Sequence, residues 1–270
     1  MMKDLLIHTL YLYLTQHLEV LSLAGIAVMV LGLAVLSLLS GMLGLGVAFA
    51  AIPFLSLFLT DLVREVQPLA LLLNGFTAFF SALGFSRSGF VDWRKALLLA
   101  LVTASSSPAG SLLVMYVPQL YVWIAYFIAV LYLAYRLFRP IKTKSGQERY
   151  VTVLLLAVPI SFLSGFLGVG PGFLLMPTLM LAGFEPKKAA GINAVAVCPP
   201  SFTALIPRLS SITFELPTAA ALLAASTAAS YIGARVTSKY IPSTTLKKLF
   251  VLLILAMTSY RLTTLIYLPH

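Results

Sequence analysis

Carboxylate side chains are scarce in this chain, and cysteine is almost absent. Of 270 residues, 8 are Asp or Glu, 3 are His, and 1 is a cysteine, Cys198. A single cysteine excludes both a disulfide framework and a cysteine-based metal site. Charged residues make up 10% of the chain, whereas soluble domains carry about 25%. The composition therefore excludes an ordinary soluble domain.

The few acidic residues fall at or near the ends of apolar runs, and no histidine lies between residues 18 and 269. Proton-coupled carriers often bury Asp, Glu or His for a relay, so this sequence disfavours a side-chain proton relay. An intramembrane enzyme is also disfavoured, because no run pairs a nucleophile with a base or gathers metal ligands. We expect no metal and no cofactor. Gly168, Gly170 and Gly172 lie in an apolar run without a preceding strand, so they do not indicate a dinucleotide-binding loop.

What the chain has in abundance is apolar residues, at 60% of the sequence. They form continuous runs of about 20 residues, which predicts membrane-spanning helices, whereas a transmembrane barrel shows alternation over about ten residues. Residues 1–19 lack a small-residue cleavage site, so we expect a retained segment that is interfacial or partly inserted. The remaining sequence divides into ten segments, near 20–39, 47–59, 67–85, 94–116, 119–138, 150–166, 171–182, 187–206, 215–236 and 243–267.

The net charge of +10 comes from 18 Lys and Arg that lie between the apolar runs. Basic residues in these positions set the orientation of the chain in a membrane, and they do not indicate nucleic-acid binding. If each break reverses the side, four basic residues share one face, namely Lys3, Arg64, Arg208 and Arg261. The other 14 share the opposite face, which the positive-inside rule makes cytoplasmic. We therefore predict a cell-membrane protein with both termini outside and the 136–149 linker in the cytoplasm.

The two halves of the chain repeat the same landmarks. SGMLGLG begins at Ser40 and SGFLGVG begins at Ser164, each with a proline seven residues beyond its last glycine. Asn74 matches Asn193, Arg87 matches Arg208, and Gly110 matches Gly233 in the same order. We predict two repeats, 20–140 and 150–270, joined by the linker 141–149.

An odd number of segments in each half inserts the two copies upside down relative to each other. The predicted fold is an all-α polytopic membrane protein with two inverted-topology repeats of five segments, as in secondary transporters. The second segment of each half, 47–59 or 171–182, is too short to cross a hydrocarbon core of about 30 Å. We expect each to form a hairpin or broken unit with the segment before it, whether it re-enters or spans thinly.

The glycine motifs predict a substrate site near the middle of the membrane. Irregular backbone there must be buried or line a polar cavity. A helix that starts after a glycine break presents free N–H groups that favour an anion. The predicted binding residues are Ser40, Gly41, Gly44, Gly46, Asn74, Ser164, Gly165, Gly168, Gly170 and Asn193. Close helix packing by the glycines and capping of the breaks by the two asparagines remain alternatives.

Arg87 and Arg208 end equivalent helices and could draw anions to the two mouths of a pathway; interfacial anchoring is the alternative. The repeated Ser-Gly-x-Leu-Gly-x-Gly, its following proline and Gly191-Ile192-Asn193 resemble the TauE/SafE family of sulfite-exporter-like permeases. The resemblance covers nearly the whole chain from about residue 20. It implies export of sulfite or small organosulfur anions from the cytoplasm, with the bilayer and a small anion as partners. The alternatives are a permease for another small anion and a non-transporting scaffold or sensor subunit.

Overall fold

The computed structural model describes residues 24–59, 61–118, 148–211 and 216–242, together with the isolated positions 121, 122, 124, 125, 128 and 245. The regular secondary structure of these residues is helical, with no β-strand among them. The helices are α1 Ala24–Leu43, α2 Ala48–Leu55, α3 Gln67–Ser86, α4 Trp93–Val114, α5 Tyr150–Leu167, α6 Gly172–Leu181, α7 Pro186–Leu205 and α8 Leu216–Tyr240.

Six of these helices are long and apolar enough to cross a membrane: α1, α3, α4, α5, α7 and α8. The other two are short, since α2 has 8 residues and α6 has 10. At 1.5 Å per residue they measure about 12 and 15 Å, well below the thickness of a hydrocarbon core. The expected multi-pass helical architecture is therefore confirmed. The predicted segments 1–19, 119–138 and 243–267 lie almost entirely outside the described residues.

The irregular backbone in each motif is shorter than the sequence predicted. Helices α1 and α5 continue through the Ser-Gly of the motif and end at Leu43 and Leu167. The chain then breaks at residues 44–47 and 168–171, called here the first and second breaks. The Ser-Gly pairs stay helical because they are packing positions. A Cβ atom at Gly41 would overlap Ser230 on α8, and one at Gly165 would overlap Ser107 on α4.

The start of the third segment also differs from the prediction. One π-helical turn, Leu62–Val66, precedes α3. The Asp61 carboxylate accepts the N–H groups of Val63 at 3.0 Å and Arg64 at 2.9 Å. These bonds satisfy donors at the helix start that have no partner within the helix.

The fourth helix of each half packs against the other half. Helix α4 lies against α5 and α7, and α8 lies against α3. Glycines allow two of the closest approaches: Gly110 meets the Phe162 carbonyl of α5, and Gly233 meets the Leu38 carbonyl of α1. These two contacts correspond, since Gly110 matches Gly233 and Leu38 matches Phe162. The halves are therefore interleaved and make equivalent contacts with each other.

Prolines inside α4 and α7 leave carbonyl groups that the opposite helix satisfies. Pro200 has no N–H for the Ala196 carbonyl, and the Thr103 hydroxyl of α4 donates to that oxygen at 2.8 Å. Pro108 likewise frees the Ala104 carbonyl, and a threonine of α7, Thr203, donates to it at 2.9 Å. Neighbouring hydroxyls commonly satisfy such groups in membranes. Helix α7 accordingly continues through Pro199 and Pro200.

Candidate functional site

The two breaks meet in the protein interior. A Cβ atom at Gly172 would overlap the carbonyl oxygen of Leu45, so the start of α6 touches the first break. The Asn193 Nδ2 group donates to the Gly44 carbonyl at 2.7 Å, which links α7 to the same break. All residues of both breaks are buried. The structure thus brings together parts of the two motifs that lie far apart in the chain.

The motif glycines adopt the backbone that their pattern allows. Gly44, Gly46, Gly168 and Gly170 have φ between 65° and 71°, a region that side chains with a Cβ disfavour. All four also lack room for a Cβ atom, and two of them, Gly46 and Gly170, lie against the side chain of Asn74. Asn74 therefore lies between the two breaks.

Asn74 caps the helix that follows the first break. Its Oδ1 atom accepts the Ala48 N–H at 2.8 Å, and the Thr77 hydroxyl accepts the Val47 N–H at 3.2 Å. The Nδ2 group of Asn74 donates to the Ser201 hydroxyl of α7 at 2.8 Å. The capping alternative is therefore what the structure contains at α2. Two of the N–H groups at the start of α2 are engaged by protein.

Asn193 occupies the corresponding position in the second half, with a different set of bonds. Its Nδ2 group donates to Gly44 O and, at 3.2 Å, to Gly172 O. Its Oδ1 atom is buried and has no hydrogen-bond partner among the described residues. In that part of the chain the N–H groups of Gly172 and Phe173 also lack partners. The two helix starts therefore differ in what they leave unpaired.

The two motif serines lie inside helices, about one turn before the breaks. Ser40 and Ser164 are both buried. Within the described structure the hydroxyl of Ser164 has no partner, and neither has that of Ser107, which lies beside Gly165. Ser230 matches Ser107 in the repeat, and its hydroxyl donates to the Thr77 carbonyl at 2.7 Å. Of the six buried side-chain atoms without a partner in the described structure, those of Ser107, Ser164 and Asn193 lie around the second break, and the others belong to Ser37, Ser226 and Thr237.

Arg208 and Arg87 have unlike surroundings. Arg208 is 0% exposed, and its guanidinium donates to the Ser111 hydroxyl at 2.8 Å, to Gly165 O at 2.9 Å and to Gln67 Oε1. Arg87 is exposed and donates to Tyr231 Oη at 2.6 Å. Arg208 therefore brings a positive charge beside α5, just before the second break. The corresponding first-half carbonyl, that of Gly41, accepts from the neutral Ser81 hydroxyl at 2.9 Å.

Several residues that contact the breaks are not among the site residues predicted from the sequence. Gln67 donates through Nε2 to Leu167 O at 2.9 Å and packs against Gly168. Thr77 and Ser201 contribute the hydroxyls described above. Their only signal in the sequence is polarity within an apolar segment, which many other serines and threonines of this chain share.

An ionic cluster lies away from the breaks, where α4, α5 and α7 begin. Lys95 contacts Asp92 at 3.3 Å and also Glu148, and Lys188 contacts Glu148 at 2.8 Å. Partial burial alone would raise the pKa of Asp92 and Glu148. Their hydrogen bonds and charge interactions with the two lysines outweigh it, so both carboxyl pKa values lie below the ordinary range.

The polar groups around the two breaks are of kinds that bind small solutes. The described residues contain no cluster of three or more His, Cys, Asp or Glu that could hold a metal ion. Around the breaks the structure offers amide N–H groups, hydroxyls, a carboxamide oxygen and a nearby guanidinium. Such groups recognise small polar solutes, with a bias toward anions from the helix start and the cation.

Comparison with known proteins identifies the family of the chain. The profile of the family described as "Sulfite exporter TauE/SafE" matches residues 28–261, which is most of the chain. No curated protein and no solved structure matches the chain. With its apolar spanning helices and paired glycine breaks, the chain belongs to the TauE/SafE sulfite exporter family of membrane transport proteins.

Proposed function

We propose that this protein is a secondary transporter that exports a small sulfur oxyanion, such as sulfite or an organosulfonate. Family membership supports transport of a sulfite-like anion. The guanidinium of Arg208 beside the second break and the positive start of α6 support an anionic substrate. The scarcity of carboxylates within the apolar runs of the sequence disfavours a cation as cargo.

We infer an inverted-repeat architecture with repeats 20–140 and 150–270. Its supports are the odd number of segments in each half, the matched order of long and short helices, and the paired contacts of Gly110 and Gly233. The distribution of basic residues supports outside termini and a cytoplasmic linker.

The substrate site lies between the two breaks, near the pseudo-axis of the repeats. One observation carries this proposal: two glycine breaks from different halves meet in the core and leave unpaired polar groups there. Because the residues of both breaks are buried, a substrate reaches them only after part of the protein moves. Rocking of one half, or of one hairpin, against the other provides that access alternately from each side.

Sulfite efflux from proteoliposomes tests the proposal. Protein-containing vesicles loaded with sulfite should release it faster than empty vesicles of the same lipid. Ser164→Ala should slow release, because it removes an unpaired hydroxyl about one turn before the second break without breaking a described hydrogen bond. Ser105→Ala is the matched control, since its exposed hydroxyl bonds only to its own helix.

Efflux equal to that of empty vesicles would reject sulfite as the cargo. A thermal-stability screen with small anions then separates the remaining alternatives. Stabilisation by another anion indicates a permease for that anion, whereas no response to any of them favours a scaffold or sensor subunit.

A further inference from the structure

The two breaks are unequal, and their difference restricts the ligand. At the first break Ala48 N–H, Val47 N–H and Asn74 Oδ1 are all bonded within the protein. At the second break the corresponding groups are unpaired among the described residues: Asn193 Oδ1 and the first N–H groups of α6. A buried polar atom without a partner is unfavourable unless a ligand or water satisfies it.

Sequence differences account for this asymmetry. Val47 has an N–H that Thr77 accepts, whereas the matching Pro171 has none and the residue matching Thr77 is Ala196, which lacks a hydroxyl. The Gly165 carbonyl before the second break accepts a hydrogen bond from the guanidinium of Arg208. The corresponding Gly41 carbonyl before the first break accepts from the hydroxyl of Ser81. Free donors and positive charge are therefore both at the second break.

The orientation of the Asn193 side chain follows from its neighbours. Two carbonyl oxygens, Gly44 O and Gly172 O, lie within hydrogen-bond distance of one end of the carboxamide. That end must be the NH₂ group, because an oxygen there would face two other oxygens. The opposite end, Oδ1, is consequently an acceptor in a fully buried side chain, and unlike Asn74 Oδ1 at α2 it accepts no helix N–H among the described residues.

We propose that, within the site between the two breaks, the second break supplies the groups that bind the substrate, and that they select an oxyanion that also carries a hydrogen-bond donor. This inference rests on the proposed transport function. The Gly172 and Phe173 N–H groups donate to the oxyanion oxygens, while Asn193 Oδ1 accepts the ligand's own O–H or N–H. Hydrogensulfite and aminosulfonates meet this requirement, and an alkylsulfonate does not. A lone metal cation fits less well, because the helix start and Arg208 are both positive.

Two ligands of the same charge and nearly the same shape provide the test. Sulfamate carries an NH₂ group where methanesulfonate carries a methyl group. With the unmodified protein in detergent, we expect sulfamate to bind at least about tenfold more tightly, because methanesulfonate leaves Asn193 Oδ1 unpaired. Isothermal titration measures both affinities, and sulfite efflux from proteoliposomes is measured in parallel.

The possible outcomes distinguish failure of the donor requirement from failure of the proposed transport function. Equal affinities, or tighter binding of methanesulfonate, would overturn the donor requirement while leaving transport intact. Binding of neither ligand with normal sulfite efflux would move the substrate elsewhere in the protein, and binding of neither without efflux would reject the proposed function as well. Asn193→Leu should abolish the preference for sulfamate. If that variant does not fold, the comparison of the two ligands on the native protein still shows whether the ligand needs a hydrogen-bond donor.

Discussion

Gly170 of the second break packs directly against the carboxamide of Asn74, the residue that caps the helix after the first break. A Cβ atom at Gly170 would overlap Asn74 Nδ2. The same carboxamide also contacts Gly46. A change at either glycine therefore acts on both breaks through one side chain.

Gly170→Ala should destabilise the protein more than a positive backbone φ alone explains. Gly89 is the matched control, because its φ is 75° and nothing lies within 4 Å of the place that a Cβ atom would occupy. Gly89→Ala should lower the free energy of unfolding by about 1–2 kcal/mol. Gly170→Ala should lower it by about 1–3 kcal/mol more, because Asn74 must move. Unfolding in mixed detergent micelles measures both, and equal losses would contradict the contact.

Thr203→Val should leave the Ala104 carbonyl unpaired and lower the free energy of unfolding by about 1–3 kcal/mol. Pro108→Ala restores an N–H for that carbonyl. In the Pro108→Ala background the same threonine change should therefore have a smaller effect. The double-mutant cycle measures this coupling, and additive effects would show that the hydroxyl does not serve the carbonyl.

Arg208→Met should destabilise the protein by about 3 kcal/mol or more, since Gly165 O and Gln67 each lose a donor in a buried place. Arg208→Lys should restore only part of this loss, because an ammonium lacks the planar fork of a guanidinium. Arg87→Met is the exposed control and should change stability by less than about 1 kcal/mol. Melting temperatures check the predicted order of stability loss among the three variants, and sulfite efflux is measured on the same proteins.

The ionic cluster predicts a pH dependence. Because the pKa values of Asp92 and Glu148 are lowered in the folded protein, their contribution is complete above the ordinary values of 3.8 and 4.5. It is lost as the pH falls below those values and through the depressed ones. Partial exposure, about 28% for Lys95 and Glu148, limits the effect to roughly 1 kcal/mol.

Glu148→Gln should therefore lower stability slightly at neutral pH and flatten the acid limb of the profile below the ordinary Glu value of 4.5. High salt should screen the ionic cluster and bring the stability of the native protein closer to that of the variant. Thermal melts across pH and ionic strength measure both. An unchanged acid limb would mean that other carboxylates dominate it.

The sequence predicted the helices well because length and apolarity determine them. The segments 67–85, 94–116, 150–166 and 187–206 agree with α3, α4, α5 and α7 to within about two residues. The duplicated motif predicted where irregular backbone lies. It did not predict that Ser40-Gly41 and Ser164-Gly165 remain helical, since that depends on Ser230 and Ser107 packing from distant helices.

The asparagines were recognisable as polar residues deep in apolar segments, but their partners were not. Whether Asn74 caps α2 depends on Ala48 and Thr77 reaching it in three dimensions. The difference between the breaks had a signal in the sequence, namely Pro171 opposite Val47 and Ala196 opposite Thr77. These differences can be interpreted only once the hydrogen bonds show that Thr77 accepts the Val47 N–H.

The interleaving of the halves has a consequence for biosynthesis. When the ribosome has completed only the first half, α4 already stands in the bilayer without α5 and α7, the helices it packs against. The Ala104 carbonyl then lacks its partner until Thr203 arrives. We therefore expect neither half to complete its packing until nearly all of the chain has been inserted.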